Sequence, residues 1–120
     1  MTSVVTAAVL PRPVGDRAAR AEIALSPDEP AFAGHFPDFP VLPGVCLIEI
    51  ARRAADRCLP DLGCAEVTSA RFTGAVRPGD TLRVDLKWTG DGPADCTVTV
   101  RAGADRVATV RLRYTAEARP

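Results

Sequence analysis

Gly34-His35-Phe36-Pro37-Asp38-Phe39-Pro40-Val41-Leu42-Pro43-Gly44-Val45-Cys46-Leu47-Ile48-Glu49 is the stretch on which the fold turns. It holds the only histidine of the chain, prolines at 37, 40 and 43, and a Pro-Gly step into an apolar run broken by one carboxylate. Pro43 suits the first turn of a helix, and Pro60 forces an end. The spacing therefore predicts one long helix over Pro43–Leu59. Val45, Cys46, Leu47, Ile48, Ile50, Ala51, Ala54 and Ala55 are apolar nearly all round, which predicts that the first half is buried on every side. Arg52, Arg53, Asp56 and Arg57 return the second half to solvent.

Working outward, every signal after the helix is β. Cys64 to Phe72 and Thr81 to Trp88 read as strands, the second alternating Leu82, Val84, Leu86 and Trp88 against Arg83, Asp85 and Lys87. Val76-Arg77-Pro78-Gly79-Asp80 is the turn between them. Gly90 to Asp95 closes a hairpin to Cys96–Val100, and Ala102–Asp105 closes another to Arg106–Tyr114. Before the helix, Ala18 to Leu25 alternates as a strand. Ser26-Pro27-Asp28-Glu29 then has the pattern of a capping box opening a turn of helix. One buried helix followed by an antiparallel meander predicts an α+β domain whose sheet wraps around that helix.

The whole chain sets the bounds. Its 120 residues predict a single domain with a real core. Fifteen basic against fifteen acidic residues give no net charge, so bulk attraction to nucleic acid or to an anionic membrane is not expected. No apolar stretch approaches the roughly 20 residues of a membrane span, and Met1 to Leu10 lacks the pattern of a signal peptide. Cys46, Cys58, Cys64 and Cys96 show neither a C-x-x-C pair nor a zinc spacing. Reduced, mostly buried thiols in a cytoplasmic protein are expected, with no metal. There are fourteen arginines and one lysine, a bias of composition that carries no mechanism.

Two side chains carry the chemistry. Histidine is the one group whose ordinary pKa lies near neutrality, and a carboxylate among apolar residues is pushed toward its protonated form. Together they make an acid/base pair. The pattern G-H-F-P-x-x-P-x-x-P-G-V-x-x-x-E resembles the signature of the 3-hydroxyacyl-acyl-carrier-protein dehydratases, the FabZ/FabA type of the hot-dog fold. Ala70-Arg71-Phe72 and Arg77-Pro78-Gly79-Asp80 resemble that family's next landmarks, in order. The resemblance runs from about Ala19 to Tyr114.

The resemblance implies a hot-dog fold, an antiparallel sheet wrapped around one central helix, and a dehydratase (hydro-lyase). The substrate it implies is a (3R)-3-hydroxyacyl thioester on the phosphopantetheine of an acyl carrier protein, converted to a trans-2-enoyl thioester in fatty-acid or type II polyketide biosynthesis. His35 would remove the C2 proton and Glu49 of a partner chain would help the 3-hydroxyl leave as water. Gly44 at the helix start would receive the developing oxyanion, since free N–H groups and the positive dipole end point outward there. Val45 and Phe36 are the substrate-contacting candidates beside it, though packing explains both. No metal or redox cofactor is required. A homodimer, or a pair with a related hot-dog subunit, is implied.

Two departures bear on this. The family usually carries glutamine where this chain has Arg53, and either Arg53 or Arg52 could pair with Glu49 along the helix and keep it ionised. The segment Leu59 to Cys64 is short and lacks the family's gating aromatic, which predicts a wider or differently capped tunnel. Both look more like the polyketide-pathway branch. Two other readings share the fold: a thioesterase that hydrolyses the same bond, and a weakly or non-catalytic subunit that completes a heterodimer. Arg52, Arg57, Arg71 and Arg77 are the candidates for meeting an acidic carrier protein, and scattered arginines are ordinarily solvated surface.

Overall fold

The alternating apolar positions downstream of the helix converge on one face of an antiparallel sheet. The computed structural model describes residues 5–32 and 41–120. In chain order these contain β1 (Arg12–Gly15), β2 (Ala18–Ala24), a 3-10 turn (Pro30–Phe32), α1 (Gly44–Cys58), β3 (Gly63–Phe72), β4 (Thr81–Thr89), β5 (Ala94–Ala102) and β6 (Asp105–Thr115). The described strands form one sheet in the order β1-β2-β4-β5-β6-β3, each neighbouring pair antiparallel. The predicted helix and strands are therefore present within a residue or two of their expected ends. β1, which no periodicity announced, is added at one edge by a tight turn with Arg17 at φ 55°.

Register explains the core. Ala19, Leu86, Val98, Val110 and Ala70 sit opposite one another across five strands, as do Ala21, Val84, Val100, Ala108 and Phe72. Because side chains alternate with period two, each row shares the face toward α1. The helix presents Ile50 and the small Ala51, Ala54 and Ala55, all fully buried, so its backbone packs close to the sheet. α1 has no side-chain N-cap, a deficit of about 1 kcal/mol. Burial of Leu47 and Ile50 at about 2 kcal/mol each outweighs it. Tertiary packing holds this helix.

Three expectations are corrected here. Pro43 is the N-cap, with extended backbone, rather than the first helical residue. The first half of α1 is not buried on every side, because Val45 is 63% exposed. Val45, Glu49, Arg52 and Asp56 follow helical spacing and form an open stripe along α1. Finally, Glu29 does not close a capping box. Ser26 Oγ accepts from the Asp28 N–H at 3.1 Å, but the Glu29 carboxylate is buried against the N-terminal segment. It accepts from the N–H of Thr6 (2.7 Å), the hydroxyl of Thr6 and the N–H of Ala7 (2.9 Å).

Arg53 completes this strap, donating to the carbonyls of Val5 (2.9 Å) and Ala7 (3.1 Å), while Val5 and Val9 enter the core. Glu29→Ala is expected to lower stability by about 2–3 kcal/mol, since it frees the strap held at Thr6 and Ala7 and releases the buried Val5 and Val9 to water. A denaturant midpoint unchanged from wild type would refute this.

The second landmark is structural in effect. Gly79, at φ 87°, lets the turn close, with the Arg77 N–H donating to Asp80 Oδ2 at 2.8 Å. The Gly79 N–H donates to the Leu25 carbonyl and the Leu25 N–H to that of Asp80, pinning the turn to the end of β2. From the same loop the Val76 carbonyl accepts the Leu42 N–H at 2.8 Å, which fixes the entry to α1.

Cys58, Cys64 and Cys96 are free thiols, and Cys46 and Cys96 are buried. Burial pushes the Cys96 thiol up to about 12 and the Tyr114 phenol well above its ordinary value. In the unfolded chain both ionise sooner, so between pH 9 and 12 the folded state holds more protons and stability falls as pH rises. Full stability is expected below about pH 9, with a declining urea midpoint above it. A midpoint flat from about pH 8 to about pH 11 would contradict the assignment.

Candidate active site

Of the residues singled out in the sequence, Gly44, Val45 and Glu49 share α1, whereas His35 and Phe36 lie outside the described residues. The start of α1 has the character an oxyanion site needs. Its N-cap is a proline without a capping side chain, and its first turn has no acidic residue, so that turn itself places no negative charge at the positive end of the dipole. Space at Gly44 is tight. A Cβ there would meet the Phe72 ring at 3.0, 3.1 and 3.3 Å. Phe72 of β3 thus lies across the helix entry, although it is 45% exposed on its other side.

Glu49 stands one turn beyond Val45 on the open stripe, with its side chain 42% exposed. Its Oε1 accepts from Arg52 Nη2 at 2.6 Å. Of the two arginines expected to compete for this carboxylate, Arg52 is the partner, and Arg53 is spent on the carbonyls of Val5 and Ala7. Arg52 also donates from Nη1 to Asp56 Oδ2 at 2.7 Å. The hydrogen bond from Arg52 to Glu49 holds that guanidinium more firmly protonated than usual. Asp56 and Tyr114 were not read as part of the site. The Arg52–Asp56 spacing was visible as an i,i+4 pair, but nothing local placed Tyr114 beside it.

The site is open on the side of β3. Among the described residues this strand pairs only with β6, and α1 meets it at the Gly44–Phe72 contact. Val67, Ala70 and Phe72 lie opposite Leu112, Val110 and Ala108, on the core-facing side, yet all three are exposed. Among the described residues this apolar strand face lacks cover and the outer edge of β3 lacks a pairing strand, and Phe72 of that face meets Gly44. Among the described residues no group of three or more His, Cys, Asp or Glu side chains could hold a metal ion. No described helix is long and apolar enough to cross a membrane.

Comparison with known proteins gives three findings. The family model of the ApeI dehydratase, ApeI-like, matches residues 12–111. The 3-hydroxyacyl-[acyl-carrier-protein] dehydratase FabZ of Solibacter usitatus is 42% identical over 69 residues, covering 50% of this chain and 43% of that protein. FabZ of Chloroflexus aggregans is 37% identical over 91 residues, covering 64% of this chain and 63% of that one. The chain spans about half the length of the curated relatives it matches. Among solved structures, the dehydratase heterocomplex ApeI:P from Xenorhabdus doucetiae superposes with a TM-score of 0.78 at 22% identity. That superposition covers 96% of this chain and 99% of the other, and it shows the hot-dog fold.

Proposed function

Because this chain belongs to the ApeI-like dehydratase family, we propose that it removes water from a (3R)-3-hydroxyacyl thioester carried on the phosphopantetheine of an acyl carrier protein. The product is the trans-2-enoyl thioester, in fatty-acid or polyketide assembly in the cytoplasm. One observation carries the reading: the family match over residues 12–111 spans a helix with an uncapped N-terminus at Gly44 and a solvent-facing carboxylate at Glu49.

His35 takes the C2 proton. The electrons of that C–H bond form the C2–C3 double bond, and the C3–O bond breaks as the hydroxyl leaves with a proton delivered at Glu49, directly or through a water. The thioester oxygen, on which charge develops, is received by the N–H groups at Gly44, where a side chain would press on the Phe72 ring. Val45 and Phe36 border the acyl chain. The reaction is an elimination without net oxidation, so it needs no metal and no redox cofactor.

The active unit is a dimer. A second copy docks along β3, extends the sheet edge to edge and covers Val67, Ala70 and Phe72. Its His35 then faces Glu49 of the first. A related hot-dog subunit would serve in the same place, as the Xenorhabdus structure is a heterocomplex.

Mass spectrometry of a synthetic 3-hydroxyacyl-carrier thioester incubated with the protein tests the reading. Loss of one water is the expected result. Release of the free acid would make the chain a thioesterase, and an unchanged thioester would make it a subunit inactive on its own.

A further inference from the structure

We propose that Arg52, Asp56 and Tyr114 form a positioning relay that holds the Glu49 carboxylate in its working orientation. The inference rests on the dehydratase reading above and adds residues to that site.

The relay begins in the core. Tyr114 of β6 is fully buried, and its hydroxyl needs one acceptor. The main-chain oxygen of Arg52 stands 3.2 Å away and would suffice. The hydroxyl instead lies 2.6 Å from Asp56 Oδ1, a short charge-assisted hydrogen bond. That bond fixes the Asp56 carboxylate and turns Oδ2 toward Arg52 Nη1, 2.7 Å away. The guanidinium is planar, so fixing one of its nitrogens orients the other. Nη2 then meets Glu49 Oε1 at 2.6 Å. Among the described residues Arg52 has no other carboxylate partner, and Glu49 accepts no other hydrogen bond.

Each helical ion pair alone would be weak, since the side chains of Glu49, Arg52 and Asp56 are each about two-fifths exposed. What sets this series apart is its anchor. A solvent-facing glutamate ordinarily samples several rotamers, and a reacting carboxyl must be held to about 0.5 Å. Here Oε1 is tethered through two further side chains to a residue that cannot move, and Oε2 is left for the reaction. The hydroxyl of Tyr114 acts on the chemistry only through Asp56, Arg52 and Glu49.

A double-mutant cycle between Tyr114→Phe and Glu49→Gln tests this on the full chain, with kcat and KM read separately and folding checked by thermal melting. Tyr114→Phe removes one oxygen and keeps the ring that packs in the core. It is expected to lower kcat about fivefold with KM changed less than about twofold, and to have no further effect on the residual rate of Glu49→Gln. Arg52→Met should lower kcat about tenfold, and Arg52→Lys should not restore it, because an ammonium on a flexible stem lacks the planar fork that fixes one carboxylate relative to the other. A wild-type kcat in Tyr114→Phe, an equal loss in the Glu49→Gln background, or full activity in Arg52→Lys overturns the relay. If Glu49→Gln is inactive in the same experiment, the dehydratase reading survives that failure. A wild-type chain that dehydrates neither alone nor with a related hot-dog subunit overturns both.

Discussion

His35→Ala is expected to lower kcat/KM for dehydration by about 10³-fold and Glu49→Gln by about 10²-fold, with far-UV circular dichroism and melting unchanged. The asymmetry follows from the chemistry. A proton next to a thioester is weakly acidic, so loss of the base removes the step that starts the reaction. Loss of the acid leaves water able to protonate the departing hydroxyl, more slowly. Glu49 lies on the open stripe of α1 and contributes no buried contact beyond its bond to Arg52, so its replacement tests function rather than folding. The measurement is the initial rate of enoyl-thioester formation under single-turnover and steady-state conditions. Glu49→Gln at the wild-type rate would remove this residue from the mechanism, and the same result for His35→Ala would remove the mechanism itself.

Val67→Lys is expected to convert the proposed β3-paired dimer to a monomer and to abolish dehydration, with the fold of each chain kept. Val67 is 43% exposed in the single chain, so the substitution costs the monomer little. In a two-fold pairing along β3 the lysine enters from both copies, and a charge on a strand edge is among the most effective ways to block edge-to-edge pairing. Sedimentation equilibrium gives the mass and the dehydration assay gives the rate. A monomeric variant with full activity would show that one chain holds the complete site. If the wild type is itself monomeric and inactive, the partner is a related subunit, and adding that subunit should restore activity with the wild type and not with the variant.

Much of this architecture was legible in the residue order. Pro43 and Pro60 bracket α1, and alternation in Thr81–Thr89 marked a strand whose Leu82, Val84 and Leu86 are buried as expected. Burial around the helix was misread, because the composition of its first half says it is apolar but not which neighbours are there to cover it. Val45 is apolar and exposed for that reason. β1 was missed because Arg-Pro-Val-Gly has no alternation to detect.

The site divides in the same way. The proposed reactive groups, His35 and Glu49, and the small residue at the helix start, Gly44, were named from residue type and motif alone. Their partners were not. Glu29 was given a local capping role, yet its carboxylate meets Thr6, 23 positions away. Arg53 was weighed against Glu49, four positions off, and instead binds the carbonyl of Val5 across 48.

By itself the sequence determined the central helix, the strands that follow it and the kind of chemistry the chain can do, because these depend on period, on proline and glycine, and on side-chain type. Only the tertiary structure decided which charges meet, that Arg52 rather than Arg53 holds Glu49, that Tyr114 reaches Asp56 across 58 positions, and that β3 is left with an open face. The physical reason is that hydrogen bonds and ion pairs act over a few ångströms of space, and proximity in space is set by sheet order and helix docking, which no local pattern encodes.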